Sequence, residues 1–393
     1  MNFVTILLII FTCILFVPIF VLLVQVLLAY VPKSRPTILD NPACSVAVLI
    51  PAHNESAGLK STIDSILPHL KEKDRLIVIA DNCSDETANV ALKAGAEVIE
   101  RFDEVNRGKG FALDFGVRFL ANNPPDTVVI IDADCVVAQG QLRVLASYSY
   151  QLGKPVQALY LMLTTMQAGI KSKIAQFAWL VKNKVRPLGF DRIGLPCPLM
   201  GSGMAFPWRL ISSATLATGN IVEDLKLGID LSKAGFAPIF FPLVLVTSYF
   251  PENAEAQATQ RQRWEHGHLT MILVEAPKLL LHGLCRLDFK LVTMALDLIV
   301  PPIALLVMMM LGLAITAFVA YLIGLVNLVT LLFVGLLFCV FGLTIMFAWW
   351  GWARAVIPFT GFLMAPIYVL GKLPNYLLFL VKRQKKWIRT SRD

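Results

Sequence analysis

The sequence predicts an α/β domain, built on a parallel sheet and enclosed between apolar segments that enter a membrane. Three observations carry this reading. The 393 residues are 56% hydrophobic and only 16% charged, whereas a soluble domain carries about a quarter charged residues. The apolar residues are also unevenly placed: residues 3–30 include no charged side chain, and 291–352 include one, Asp297. Between these stretches, from about Ala43 to Lys290, short β-branched runs alternate with helical patterns, the habit of strands joined by crossover helices.

The first apolar stretch exceeds the roughly 20 residues that span a bilayer as helix. No basic residue precedes it and it is too long for a cleaved leader, so it is expected to stay as an anchor. Lys33 and Arg35 follow it, which places the amino terminus outside and the chain from residue 36 in the cytoplasm. Near the other end, 294–319 and 326–350 are long enough to span. Pro301-Pro302 is expected to kink the first of them, and Gly312, Gly324, Gly335 and Gly342 to let the helices approach closely. The segment 355–381 carries Pro358, Pro366, Lys372 and Pro374 and is expected to lie at the interface or re-enter it. Lys382, Arg383, Lys385, Lys386, Arg389 and Arg392 form a basic tail suited to anionic headgroups. That tail accounts for much of the net charge of +8 without nucleic acid as a partner. The expected bounds are an anchor at 1–35, the α/β domain at 36–290, membrane and interfacial helices at 291–381, and the tail at 382–393. The seven cysteines lack paired spacing and read as small buried hydrophobes in a reducing compartment. In that compartment the sequons Asn54-Glu55-Ser56 and Asn82-Cys83-Ser84 have no role.

Within the domain, Ser45–Ile50, Arg75–Ala80, Glu97–Glu100 and Thr127–Ile131 read as buried strands. Ala57–Leu70, Asp85–Ala94, Gly110–Leu120, Ile174–Val185, Asn220–Ala234 and Ala256–Val274 read as helices, and Pro187–Pro207 as irregular. Polar residues stand at the carboxyl ends of three strands: Pro51-Ala52-His53-Asn54-Glu55, Asp81-Asn82 and Asp132-Ala133-Asp134. Open α/β sheets bind ligands at those ends, so the three loops are expected to line one crevice. Asp132 and Asp134, two residues apart on a strand end, suit a hard divalent cation shared with phosphate oxygens. His266 and His268 have no third ligand at zinc spacing and read as solvated or gating.

The order Asp81, Asp132-Ala133-Asp134, Glu223-Asp224 and Gln260-Arg261-Gln262-Arg263-Trp264 resembles the family 2 glycosyltransferases, in particular the membrane-embedded cellulose, hyaluronan, chitin and poly-N-acetylglucosamine synthases. The resemblance covers roughly residues 43–270 and the flanking membrane helices. It implies the GT-A fold, a Rossmann-like cytoplasmic domain, a nucleotide-diphosphate sugar as donor (a UDP-sugar by analogy), Mg2+ or Mn2+, and transfer with inversion. It further implies that Pro51, Ala52, Glu55 and Asp81 border the base and ribose, that Lys109 and Arg263 approach the nucleotide and its diphosphate, and that Asp132 and Asp134 serve the diphosphate and metal. Asp224 would be the general base that deprotonates the acceptor, supported by Glu223. Gln260, Trp264, Gly201 and Ser202 would face the acceptor. Relatives often end the second strand in Asp-Asp-Gly-Ser, where this chain has Asp81-Asn82-Cys83-Ser84, which leaves the role of Asn82 open. The expected product is a polysaccharide extended at the membrane, the inner membrane in a bacterium. The alternative is one sugar transferred to a lipid, as in ceramide glucosyltransferases.

Overall fold

A computed structural model describes residues 2–33, 40–251 and 253–381; Arg35 and the basic tail from Lys382 fall outside the described residues. The strands are β1 (Val46–Ala52), β2 (Arg75–Asp81), β3 (Glu97–Arg101), β4 (Thr127–Ile130), β5 (Val136–Gln139), β6 (Val156–Leu163), β7 (Met204–Pro207) and β8 (Ile239–Tyr249). The helices are α1 (Phe3–Ala29), α2 (Leu59–Ile66), α3 (Thr87–Lys93), α4 (Lys109–Leu120), α5 (Leu142–Leu152), α6 (Ile170–Leu180), α7 (Arg186–Arg192), α8 (Trp208–Ile211), α9 (Glu223–Lys233), α10 (Ala254–Cys285), α11 (Phe289–Leu298), α12 (Ile303–Leu322), α13 (Leu328–Trp352), α14 (Ala365–Leu370) and α15 (Leu373–Val381). They form two compact units. Among the described residues one takes in 2–32, Thr164–Gly194 and 268–381; the other takes in Lys33–Leu163 and Leu195–Gly267.

The second unit is built on one eight-stranded sheet of order β3-β2-β1-β4-β7-β6-β8-β5. The apolar runs of β1, β2 and β4 pair in parallel and are buried almost throughout, as strands covered on both faces must be. The order reverses at β1, whose neighbours are β2 and β4, and this is the point where such sheets open a crevice. Beyond β4 the sheet is mixed, because β7 runs antiparallel to both β4 and β6. The start of β7 therefore lies beside the end of β4. Of the stretch expected to be irregular, 187–207, the structure makes a helix of Arg186–Arg192 and a strand of Met204–Pro207. Pro187 directly follows a π-helical turn, Val181–Val185, that joins α6 to α7 without a break in helical backbone; such a turn loosens the bonding pattern where a proline removes a donor.

At the edge away from the crevice, Arg143 ties the sheet to the chain entering it. Its guanidinium pairs with Asp74 and with Asp40, the latter at 3.0 Å, and donates to Asn41 O and Cys44 O at 3.0 Å each. Asp74 in turn accepts from Val46 N and Lys71 N. Arg143 is buried and the Asp74 side chain is fully so. Arg143→Met is expected to lower the stability of this unit by about 3–5 kcal/mol, since it strands a buried carboxylate. The check is the midpoint of thermal unfolding, with Arg143→Lys recovering only part because it lacks the fork of donors.

In the first unit, four stretches among the described residues are long and apolar enough to cross a membrane: Phe3–Ala29, Ile303–Leu322, Leu328–Trp352 and Phe359–Val381. Tyr30 at the end of α1 meets Trp352 at the end of α13, ring centroids 4.5 Å apart, and donates to Phe347 O at 2.6 Å. At the other end of α1, Asn2 donates to Leu325 O in the turn between α12 and α13. The chain leaving α13 thus emerges at the same end of the bundle as the chain leaving α1. Pro301-Pro302 does not kink a helix but separates two: α11 ends at Leu298 and α12 begins at Ile303, since two adjacent prolines remove two successive donors. The segment expected at the interface is a 3-10 turn, Phe359–Met364, followed by α14 and α15. By length and composition it qualifies as a crossing.

Gly312, Gly324, Gly335 and Gly342 do not mediate helix packing among the described residues, because a Cβ placed on any of them would meet nothing within 4 Å. The close approach is made at Gly189, where a Cβ would stand 1.9 Å from Gln25 O. One turn away a buried polar group joins three helices: Arg186 pairs with Asp297 at 2.9 Å and donates to Gln25 Oε1 at 3.1 Å, while Gln25 donates to Asp297 at 2.5 Å. These contacts explain why 164–194, expected within the α/β domain, groups with the apolar helices. His266 and His268 are buried rather than solvated. Of the cysteines, Cys13, Cys285 and Cys339 are exposed on α1, α10 and α13 rather than buried.

Candidate active site

The loops after β1 and β2 are held together through their backbones. Glu55 N donates to Thr87 Oγ1 at 2.8 Å and Ser56 N to Asp85 at 3.2 Å, while Asn54 and Ser84 exchange hydrogen bonds at 2.7 and 3.1 Å. Burial acts to raise the Asp85 carboxyl, but the hydrogen bonds from Thr87 and Ser56 outweigh it and hold its pKa at about 2. Asn54 and Asn82 both take left-handed backbone angles, φ 55° and 51°, which asparagine tolerates better than most residues. Asn82 thereby has a structural part: it turns the chain after β2, and its side chain accepts from Asp103 N at 2.8 Å and donates to Asp81 at 3.0 Å.

The three strand-end loops do line one crevice. A cavity of ≈ 170 Å³ is walled by Pro51, Ala52, Glu55, Asp81, Lys109, Asp132 and Asp134, with Gln260 and Arg263 reaching it from α10. Asp81 is clamped by Arg101 at 2.7 Å, both side chains being about nine-tenths buried. Burial raises the Asp81 carboxyl more than Arg101 lowers it. Sequence reasoning missed Arg101; His53, which it placed in the first rim loop without a role, lines the crevice with its Nδ1 2.7 Å from Asp81 O. Arg101 ends a strand of mixed polarity, and nothing in its spacing points to Asp81.

A smaller pocket adjoins the crevice and is lined by Lys109, Glu223, Asp224 and Leu227 among others. Lys109 is common to both. Its ammonium pairs with Asp132 and donates to Gly201 O at 2.7 Å. A methyl group placed on Gly201 would stand 3.3 Å from Asp224 Oδ2, 3.7 Å from Lys109 Nζ and 3.9 Å from Asp132 Oδ2. Gly201 also has φ +94°, so a side chain there would strain the backbone and crowd the Asp224 carboxylate. Burial acts to lower the Lys109 pKa, but the charges of Asp132, Glu223 and Asp224 prevail and raise it. Glu223 is pushed up to about 7, first by burial and then by the Asp224 charge, against the pull of Lys109.

Ser202 is fully buried, and its hydroxyl accepts from Asp132 N at 3.1 Å. It braces the Asp132 loop rather than facing the crevice. Gln157, buried in β6, holds the segment that carries Ser202 by donating to Ser202 O and accepting from Met200 N, both at 2.8 Å. A glutamine inside an otherwise apolar strand was the available signal. Trp264 is half-buried and does not line the crevice. Gly267, one turn beyond Arg263, seats α10 against Val222, where a Cβ would lie 2.6 Å from Cγ1. That contact fixes Gln260 and Arg263 relative to Asp224.

The donor set fits a divalent cation. Ligand atoms of Asp132, Asp134 and Cys135 lie within 4.8 Å of one another, and Ser248 donates to Asp134 at 2.6 Å, which orients that carboxylate. Two carboxylates on a strand end match the oxygen preference of Mg2+ or Mn2+.

Residues 42–267 match the family described as glycosyltransferase like family 2. The chain belongs to that family. It is a family 2 glycosyltransferase; of its ordered motifs Asp81, Asp132, Asp134, Gln260 and Arg263 line the crevice, and Glu223 and Asp224 line the adjoining pocket. A probable glycosyltransferase, YdaM, of Bacillus subtilis is 26% identical over 270 residues, covering 62% of this chain and 59% of that protein. The poly-beta-1,6-N-acetyl-D-glucosamine synthase of Staphylococcus aureus is 25% identical over 259 residues, with the same two shares. The match thus spans less than two thirds of the length of these relatives. The solved mannosyltransferase PcManGT of Pyrobaculum calidifontis, in complex with GDP-Man and Mn2+, superposes with a TM-score of 0.58 at 15% identity, covering 97% of this chain and all of that one. The likeness is one of fold, and the mixed sheet is of the GT-A kind.

Proposed function

We propose that this glycosyltransferase extends a membrane-associated polysaccharide, taking sugar from a nucleoside-diphosphate donor, by preference a UDP-sugar, with inversion. The observation that carries the reading is on α10. Gln260 is only 2% exposed, lines the crevice, and its Oε1 has no hydrogen-bond partner among the described residues. A buried acceptor atom of that kind costs stability unless a ligand supplies a donor, and sugar hydroxyls are such donors. The similarity to a protein named as a poly-beta-1,6-N-acetyl-D-glucosamine synthase supports a polymer over a single transfer. The GDP-Man and Mn2+ held together in the mannosyltransferase complex support a metal-assisted nucleotide sugar.

In this reading the base and ribose lie along Pro51, Ala52, Glu55 and Asp81, and the diphosphate lies toward Asp132 and Asp134. A divalent cation held by those two carboxylates supplies charge neutralisation of the diphosphate when bound. Arg263 offers a planar fork of donors to the departing diphosphate. Asp224, across Lys109 from the donor crevice, removes the proton of the acceptor hydroxyl as its oxygen attacks the anomeric carbon. Trp264 offers an apolar face to the acceptor chain. The α/β unit faces the cytoplasm, as Lys33 after α1 favours.

Full-length protein in nanodiscs, given a panel of nucleotide sugars with Mg2+ or Mn2+, is expected to make products longer than a disaccharide even when enzyme is scarce. Transfer of one sugar to an added lipid, with chain growth never detected, would replace this reading by lipid glycosylation. Trp264→Ala is expected to raise the acceptor KM about tenfold or more while slow donor hydrolysis persists.

A further inference from the structure

We propose that Lys109 is the resident counter-ion of Asp132 and gives it up when the nucleoside diphosphate arrives, so that donor and divalent cation bind cooperatively rather than independently. The inference rests on the metal and donor assignment made above. Its own basis is the placement of one ammonium group. Lys109 is the first residue of α4, and its Nζ stands between the donor crevice and the pocket of Glu223 and Asp224, forming part of both walls. It pairs with Asp132 and donates to Gly201 O at 2.7 Å. The two side chains are 18% and 26% exposed, so water screens the pair only in part.

A cation that approaches Asp132 without nucleotide therefore meets an ammonium already on that carboxylate. It must displace Lys109 or bind beside a like charge, and both weaken the metal site. A nucleoside diphosphate changes the balance, because its phosphate oxygens offer Lys109 another anionic partner within the same crevice. The four-carbon stem of lysine carries a compact charge that can turn through such a distance without backbone movement. Asp132 is then released to the cation, which the phosphates also ligate. Binding of each partner thus strengthens the other by the same factor.

The test is Mn2+ titration of full-length protein in nanodiscs, followed by the electron paramagnetic resonance of free Mn2+, with and without UDP. Wild type should bind Mn2+ weakly alone and about tenfold or more tightly with UDP. Lys109→Met should bind Mn2+ about tenfold more tightly than wild type in the absence of UDP and lose most of the enhancement by UDP. Lys109→Arg, which keeps the charge, should stay close to wild type. A gain in affinity cannot come from an unfolded chain, so the central outcome survives any loss of stability in the variant. The proposal is overturned if folded Lys109→Met shows unchanged or weaker Mn2+ binding without UDP, if Lys109→Arg gains as much as Lys109→Met, or if wild type binds Mn2+ equally with and without UDP. Absence of Mn2+ binding by wild type in both conditions would instead remove the metal assignment itself, and this proposal with it.

Discussion

Asp224→Asn is expected to cut sugar transfer by about 10²–10⁴-fold, the range that a positioned general base contributes, while nucleotide affinity stays nearly unchanged. The substitution keeps shape and hydrogen-bonding capacity and removes only the ability to take a proton. The residues proposed for the two functions line different pockets. Asp224 lies in the first turn of α9 and lines the pocket on the far side of Lys109 from the donor crevice. Its carboxylate lies near Gly201, where even a methyl group would come within 3.3 Å. UDP binding by calorimetry, alongside turnover at saturating donor, checks the division of roles. Weak UDP binding with normal saturated turnover would show that Asp224 serves the donor and that the base lies elsewhere.

How much of this was legible in the sequence follows from which signals are local. Strands β1 to β4 announce themselves as short β-branched runs closed by polar loops, so the crevice and its three carboxylate-bearing rims could be placed before any coordinates. The far half of the sheet could not, because its strands are apolar runs without alternation, and β7 is four residues long between a glycine loop and the helix after Pro207. Antiparallel pairing of β7 with β4 is a long-range choice, and it alone brings Gly201 and Ser202 beside Asp132. The supporting residues were hidden for the same reason. Arg101 meets Asp81 across adjacent strands, and Ser248 reaches Asp134 from β8, pairings that spacing along the chain does not encode. In the apolar unit, glycine content misled because a small residue matters only where another helix comes near. Gly189 has that neighbour; among the described residues Gly312 and Gly335 do not.

Asp134→Ala is expected to lower metal-dependent transfer by about 10²–10³-fold, the scale on which loss of one preorganised electrostatic contact acts, with little change in the unfolding midpoint. The stability expectation follows from position. Asp134 is half-buried at a loop beyond β4, and it accepts from the hydroxyl of Ser248, so its removal leaves one neutral donor without that partner and strands no buried charge. The catalytic expectation follows from charge. A departing diphosphate gathers negative charge beside Asp132, and Asp132 alone, already paired with Lys109, offers a cation a single contested ligand. Asp134 supplies the second oxygen donor, oriented by Ser248. Excess chelator should therefore silence wild type, and added Mn2+ should restore wild type fully but Asp134→Ala only slightly at concentrations far above those that saturate wild type. Undiminished transfer by wild type in excess chelator would mean that Lys109 and Arg263 neutralise the leaving group unaided, and the two aspartates would then be donor-positioning residues instead of metal ligands.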